Sequence, residues 1–191
     1  MELHGDRLVL TSVTIEEAPV LLPAFNGDEQ FNQWSGHASG LTLDQVQADM
    51  LGTLNQPGGV VWHLADQTGA LVGVAKTALL PSPGTAWIDL LIIRRAFQGR
   101  GYGSEAASLL ETHLFAFPGI KQIALAVLVE NTPAMAFWGK RGYVRGGRYL
   151  DNEGDDVYAY LLSRPFASLE EDALVTSPRI SLQEGYMAKE S

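Results

Sequence analysis

The sequence predicts a mixed α/β domain in which a central sheet is flanked by helices. Three observations carry that expectation. Strand-like segments alternate with capped helical ones, one strongly apolar strand runs into a glycine-rich turn, and 46% of the 191 residues are hydrophobic, enough for one medium-sized core. Residues 7–13 read as a first strand from their β-branched content, and Thr14 with Glu17 forms a capping-box pattern opening a helix toward Phe25. Residues 26–40 are polar and glycine-containing and read as a connection. Thr42 with Gln45 repeats the capping pattern and starts a helix to Leu54, which the Gln56-Pro-Gly-Gly59 segment ends. Residues 60–65 and 70–80 flank a turn at Asp66-Gln-Thr-Gly69 and read as an antiparallel hairpin. Residues 87–93 are the most apolar strand, covered on both faces.

The glycine-rich turn Gln98-Gly-Arg-Gly-Tyr-Gly103 leads into a helix over residues 104–115, whose Ala106, Leu110, Leu114 and Phe117 share a face and which Pro118-Gly119 stops. Residues 123–129 follow as a buried strand. Residues 132–140 form a short helix with Pro133 in its first turn. Residues 143–150 and 157–162 read as a final antiparallel pair across an acidic turn at 151–156. Residues 1–164 thus form one domain. The acidic extension 165–191 is a tail, or an element packing on the domain or on the partner subunit of a homodimer.

Charge and composition exclude several functions. Twenty-two acidic residues stand against 13 basic ones, a net charge of −9, which argues against binding nucleic acid or an anionic membrane. Cysteine is absent, so thiol nucleophiles, disulfides, iron–sulfur clusters and cysteine-ligated zinc are excluded, and four scattered histidines show no metal-ligand spacing. The start has neither the basic region nor the apolar run of a signal peptide, and no apolar stretch is long enough to span a membrane, so a cytoplasmic protein is the expectation. The charge is unevenly distributed. Residues 94–150 hold eight basic and three acidic side chains, a net +5, leaving −14 on the remainder.

The basic segment contains the strongest functional motif. Gly99, Gly101 and Gly103 remove Cβ atoms where the chain turns, so that backbone N–H groups and a helix N-terminus converge on an anion, with Arg94, Arg95 and Arg100 adding charge. A pyrophosphate suits that arrangement; a purely structural turn is the alternative. A P-loop would end in Gly-Lys-Ser/Thr, and the dinucleotide fingerprint has a different second spacing.

These residues carry a family resemblance. Gln98-x-x-Gly101-x-Gly103 resembles the acyl-CoA pyrophosphate loop of GNAT-type N-acetyltransferases, and Asn131, the Ala134-Met-Ala-Phe-Trp138 helix and Gly142-Tyr143 are similar to that family's next motif. The opening Asp6-Arg-Leu-Val-Leu10 is most similar to the RimJ/RimL-like branch, and the resemblance covers about 160 residues. It implies a mostly antiparallel central sheet of about seven strands, with two central strands splayed apart to admit acetyl-CoA as cosubstrate, and no metal. Leu91, Ile92, Ile93 and Arg94 would then bind the pantetheine arm, with the N–H of Ile92 or Ile93 polarising the thioester carbonyl. Gln98, Gly99, Arg100, Gly101, Tyr102, Gly103 and Ser104 would hold the pyrophosphate and Ala134 would line the channel; Phe137 and Trp138 would line it or pack in the core, and Asn131 would bond to the pantetheine arm or cap its helix.

Direct attack on the thioester needs a neutral amine and hence a proton acceptor. Asp89 is the first candidate, a lone carboxylate in an apolar strand, placed by alternation on one face with Trp87, Leu91 and Ile93; a structural hydrogen-bonded Asp is the alternative. His63, within a strand, is the second. The family often has a glutamate where Trp87 stands and a proton-donating Tyr where Trp138 stands, and an indole cannot replace that Tyr; Tyr143 or water would take over. The −14 remainder, including Asp28, Glu29, Asp44, Asp49 and the 151–156 turn, fits a cationic primary amine as acceptor, either a small molecule or a protein N-terminus; carboxylates that merely solvate the surface are the alternative. Competing expectations are a noncatalytic acyl-CoA-binding module and an acyltransferase with another donor.

Overall fold

The computed structural model describes residues 1–151 and 154–163. The extension 165–191 and the centre of the acidic turn lie outside the described residues. The chain begins with a short strand β1 (Glu2–His4), then β2 (Leu8–Val13), and a single 3-10 turn leads into α1 (Ala18–Phe25). The expected cap is present, since the Thr14 N–H donates to Glu17 Oε2 at 2.9 Å. Helix α2 (Glu29–Trp34) occupies what the sequence suggested was a connection. Asp28 caps it, accepting from the Gln30 and Phe31 N–H groups at 3.1 and 3.2 Å. Asn26 fastens this region: its Oδ1 accepts from the Leu41 N–H at 2.7 Å and its Nδ2 donates to the Leu41 carbonyl at 2.9 Å.

Helix α3 (Leu43–Leu54) starts at the Thr42/Gln45 box, closed by N–H bonds of 2.8 and 3.3 Å in the two directions. The hairpin β3 (Val60–Asp66) and β4 (Leu71–Leu79) follows, then β5 (Thr85–Ile93), α4 (Tyr102–Ala116), β6 (Gln122–Leu128), α5 (Thr132–Lys140), β7 (Val144–Leu150) and β8 (Asp156–Ser163). Among the described residues eight strands form one sheet in the order β1-β2-β3-β4-β5-β6-β8-β7, one more than the seven expected because of the edge strand β1. Of these strands only β5 and β6 run parallel, and every other neighbouring pair among the described residues is antiparallel. Among the described residues no helix is long and apolar enough to cross a membrane.

Each face of the sheet has its own core. One cluster joins Leu8, Leu10, Trp62, Leu64 and Ile123 to Ala106, Leu110 and Leu114 of α4 and Trp138 of α5. The other joins Val61, Val74 and Ile92 to Leu21 and Phe25 of α1 and Val46 and Met50 of α3. Of the expected face of α4, Ala106, Leu110 and Leu114 are buried and Phe117 is partly buried.

Two irregularities in β5 shape the molecule. Its parallel pairing with β6 covers only Thr85, Ala86 and Trp87, opposite Gln122, Ile123 and Ala124, after which the two strands part while β6 stays paired to β8 along its length. On its other side Lys76 pairs with Leu90 and Thr77 with Ile88, so that Asp89 is the extra residue of a β-bulge. The bulge interrupts alternation. Ile88 before it and Leu91 and Ile93 after it all pack on the α4 side, whereas Leu90 and Ile92 pack on the α1/α3 side. The expected common face of Trp87, Asp89, Leu91 and Ile93 is therefore corrected: Leu91 and Ile93 face α4, and Asp89 turns with Trp87 toward Lys76 and α3.

Trp62 and Thr77 are fully buried on the β3–β4 hairpin, and the Trp62 indole N–H donates to Thr77 Oγ1 at 2.9 Å. Replacing Thr77 with Val preserves shape but strands that donor. Denaturant unfolding of Thr77→Val should show a loss of about 1–3 kcal/mol despite the more apolar side chain.

Candidate acyl-CoA site

The free edge of β5 can be read atom by atom. The Arg94 N–H donates to the Val72 carbonyl at 2.9 Å, and a Cβ built on Gly73 would lie 2.1 Å from the Ile92 carbonyl oxygen. The backbone groups of Ile92 and Arg94 therefore face β4, and by alternation those of Leu91 and Ile93 face the gap toward β6. The Ile93 carbonyl confirms this direction by accepting from Gln98 Nε2 at 2.8 Å. Of the two N–H groups expected to polarise a carbonyl, that of Ile92 is thus turned into the sheet and that of Ile93 out of it, joined by Leu91.

Beyond Ile93, a second 3-10 turn leads into the glycine loop. Gly99 and Gly101 both have positive φ, 72° and 84°, and Gly101 is the N-cap of α4. Nothing lies within 4 Å of a Cβ built on Gly99, so its positive φ and not crowding is what calls for glycine there. Gly103 lies against Ile93 and Phe137, where a built Cβ would sit 3.6 to 3.8 Å from their side chains, an ordinary contact distance at which packing alone does not require glycine.

The loop is braced from below by a residue the sequence reading did not single out. Arg7 donates through Nη1 to the Arg100 carbonyl at 2.7 Å and through Nε to Glu105 Oε2 at 2.9 Å, and its guanidinium lies 5.2 Å from the Tyr102 ring centre. Glu105 Oε1 also accepts from the N–H groups of Arg7 and Leu8. Burial raises the Glu105 pKa, but these donors outweigh it and hold the carboxyl below its usual range. An arginine just before β2 and a glutamate in the first turn of α4 are the signals by which the brace could have been found.

The other candidates divide into groups that meet the gap and groups that serve the frame. Gln98 bonds to Asp28 Oδ2 at 2.7 Å as well as to Ile93, so it ties the loop to the end of β5 and to α2. Arg94 donates to the Leu71 carbonyl at 2.8 Å and its guanidinium lies 5.8 Å from the Phe97 ring centre, while Arg95 donates to Gln98 Oε1 at 3.3 Å. Asn131 caps α5, accepting from the Ala134 N–H at 3.1 Å. Phe137 and Trp138 stack edge to face, and Trp138 in turn meets Tyr143. Tyr143 is buried with its hydroxyl unpartnered among the described residues, and burial together with nearby Glu111 pushes its pKa strongly up, so it stays protonated.

Asp89 lies at the apex of the gap, where Oδ1 accepts from the Trp87 indole at 3.1 Å and Oδ2 meets Lys76 Nζ at 2.8 Å. His63 does not join it. It lies on β3, beyond β4 from the gap, and burial depresses its pKa, partly offset by Glu17. Among the described residues no three potential metal ligands come together. Asp155 in the acidic turn is held above its usual pKa by burial and Asp151, with His37 pulling the other way, which brings that turn near the α2–α3 connection.

An open strand edge beside a glycine loop at a helix N-terminus suits a ligand with an extended arm and an anionic end. The profile of the Acetyltransferase (GNAT) family matches residues 25–143, and the chain belongs to this family. It is an N-acetyltransferase that uses acetyl-CoA. It is 24% identical over 165 residues to an aminoglycoside N(6')-acetyltransferase type 1 of Klebsiella pneumoniae, covering 81% of this chain and 82% of that one. It is 30% identical over 95 residues to a spermine/spermidine N(1)-acetyltransferase of Bacillus subtilis (strain 168), covering 47% and 62% respectively. The fold matches an acetyltransferase crystal structure from Thermus thermophilus with a TM-score of 0.69 at 26% identity, over 86% of this chain and all of that one. A RimL structure is also among the similar folds, with a TM-score of 0.69 at 18% identity over 85% of this chain and 98% of that one, a likeness of fold that other acetyltransferase structures share.

Two outcomes follow. Gly101→Val forces a β-branched residue into the left-handed region, with its Cβ 2.9 Å from Arg7 Nη2, and calorimetry should show CoA affinity falling at least about tenfold. Burial also depresses the pKa of His113. Because the unfolded chain binds these protons more readily, stability is full above the usual histidine value of 6.5 and falls as pH drops through it. His63→Gln should therefore flatten the decline of Tm between about pH 7.5 and 5.5.

Proposed function

We propose that the chain acetylates a cationic primary amine by direct transfer, with the pantetheine arm lying along the free edge of β5 and the amine arriving from the α3 face. The observation that carries this reading is the parting of β5 and β6 after Trp87 and Ala124, which leaves an unpaired strand edge leading to the glycine loop. Acetyl-CoA supplies the activated acyl group; the chain's own groups bind and orient. The loop N–H groups, Arg95, Arg100 and the start of α4 hold the pyrophosphate. The arm runs back along β5, so the outward N–H groups of Leu91 and Ile93 donate to its amide and thioester carbonyls. Phe137 and the capped start of α5 wall the channel.

Asp89 draws the acceptor's ammonium to the apex, and one proton leaves to water; the neutral nitrogen bonds to the thioester carbon, the C–S bond breaks, and the departing CoA thiolate takes up the second amine proton through water. Its two oxygens already engage Trp87 and Lys76, which favours orientation over proton abstraction. Two supports come from the relatives' names, since aminoglycosides and spermine are both cationic amines. The excess of acidic residues outside the basic segment agrees with them.

The test is CoA release over a panel of amines, read with a thiol reagent to which this cysteine-free chain is silent. Amine-dependent release is expected; a rise in Tm with acetyl-CoA but no turnover would mean a binding module instead. In Asp89→Asn the acceptor KM should rise about tenfold with acetyl-CoA affinity unchanged. A displaced acidic limb in its kcat/KM pH profile would instead make Asp89 the base.

A further inference from the structure

Lys76 is a charge that the transfer chemistry does not require. It is buried in β4 with 8% of its side chain exposed, and its ammonium lies 2.6 Å from Asp49 Oδ1 on α3 and 2.8 Å from Asp89 Oδ2 in the bulge. Burial pulls its pKa down, but Asp89 and Asp49 outweigh burial and hold it above the usual value, so the cation is permanent. The two carboxylates are 34% and 29% exposed. Asp49 Oδ2 has no hydrogen-bond partner among the described residues, whereas both oxygens of Asp89 are engaged. The group therefore shows acid outward and base inward, with one net negative charge.

We infer that Lys76 is a specificity-determining residue that sets the charge of the wall met by the acceptor. The inference rests on the amine-acetylating reading, with the acceptor arriving on the α3 face. Without Lys76 that wall would carry two negative charges at the apex and would favour acceptors with additional ammonium groups. With it, the second carboxylate is neutralised, and acceptors bearing fewer charges compete on more equal terms. Near a protein surface one unit charge changes such an attraction by severalfold, and salt reduces the change.

The experiment measures kcat/KM for linear alkylamines of matched length bearing one, two or three amino groups, at low salt. Its readout is the dependence on acceptor charge. Lys76→Met should steepen that dependence by about threefold to tenfold per added charge, and Asp49→Asn should flatten it by a similar factor, mainly through KM. Acetyl-CoA affinity should stay within about twofold of wild type, because the glycine loop is untouched. Lys76→Met leaves two carboxylates uncompensated beside a buried position; if it does not fold, Asp49→Asn alone decides. Equal charge dependence in wild type and variants, or a shift of both variants in the same direction, overturns the inference alone. A wild-type protein that acetylates none of the amines overturns the functional reading and the inference together.

Discussion

An extra residue in β5, fixed by the register of that strand on β4, is the constraint on which the site depends. A bulge bends and twists its strand, and this one comes two residues after the last pairing between β5 and β6, just where the sheet opens. The Lys76–Asp89 pair and the Trp87 indole bond bind the bulged carboxylate to the α3 side. An isolated lysine in a buried strand would be costly. Here its two carboxylate partners make it a cross-link between α3, β4 and β5.

From that bulge the geometry of the edge follows. With alternation reset, Leu91 and Ile93 turn their side chains into the α4 core and their backbone groups toward the gap, while Ile92 turns its backbone groups to β4. One short segment thus combines an anchored hydrophobic face with free hydrogen-bonding capacity. The gap leads at one end to the glycine loop, braced by Arg7 and Glu105, and at the other to a carboxylate. A donor held by backbone groups leaves side-chain chemistry to the acceptor, so the fold can keep its donor site while the acceptor wall varies.

Much of this was legible in sequence because it is encoded locally. The capping boxes at Thr14 and Thr42, the glycines at 99 and 101 and the apolar run of β5 each state their conformation within a few residues. β1 escaped notice because three residues at a sheet edge carry no hydrophobic pattern. α2 escaped because its six residues lie in a polar stretch, although Asp28 two and three residues before Gln30 and Phe31 had the spacing of a cap. The bulge could not be read at all, since register belongs to two strands together. The partners of Asp89 were hidden for the same reason: Asp49 and Lys76 reach it from other elements, and only the lone lysine within an apolar strand hinted at them.

The central claim is that the unpaired edge of β5 is where the acyl donor binds. Amide hydrogen exchange resolved by residue, with and without acetyl-CoA, tests it most directly. The account predicts that the Leu91 and Ile93 amides exchange quickly in the free protein and become protected on binding, while the Ile92 amide, already bonded toward β4, stays protected throughout. Protection confined to the start of α4, with Leu91 and Ile93 unchanged, would contradict it.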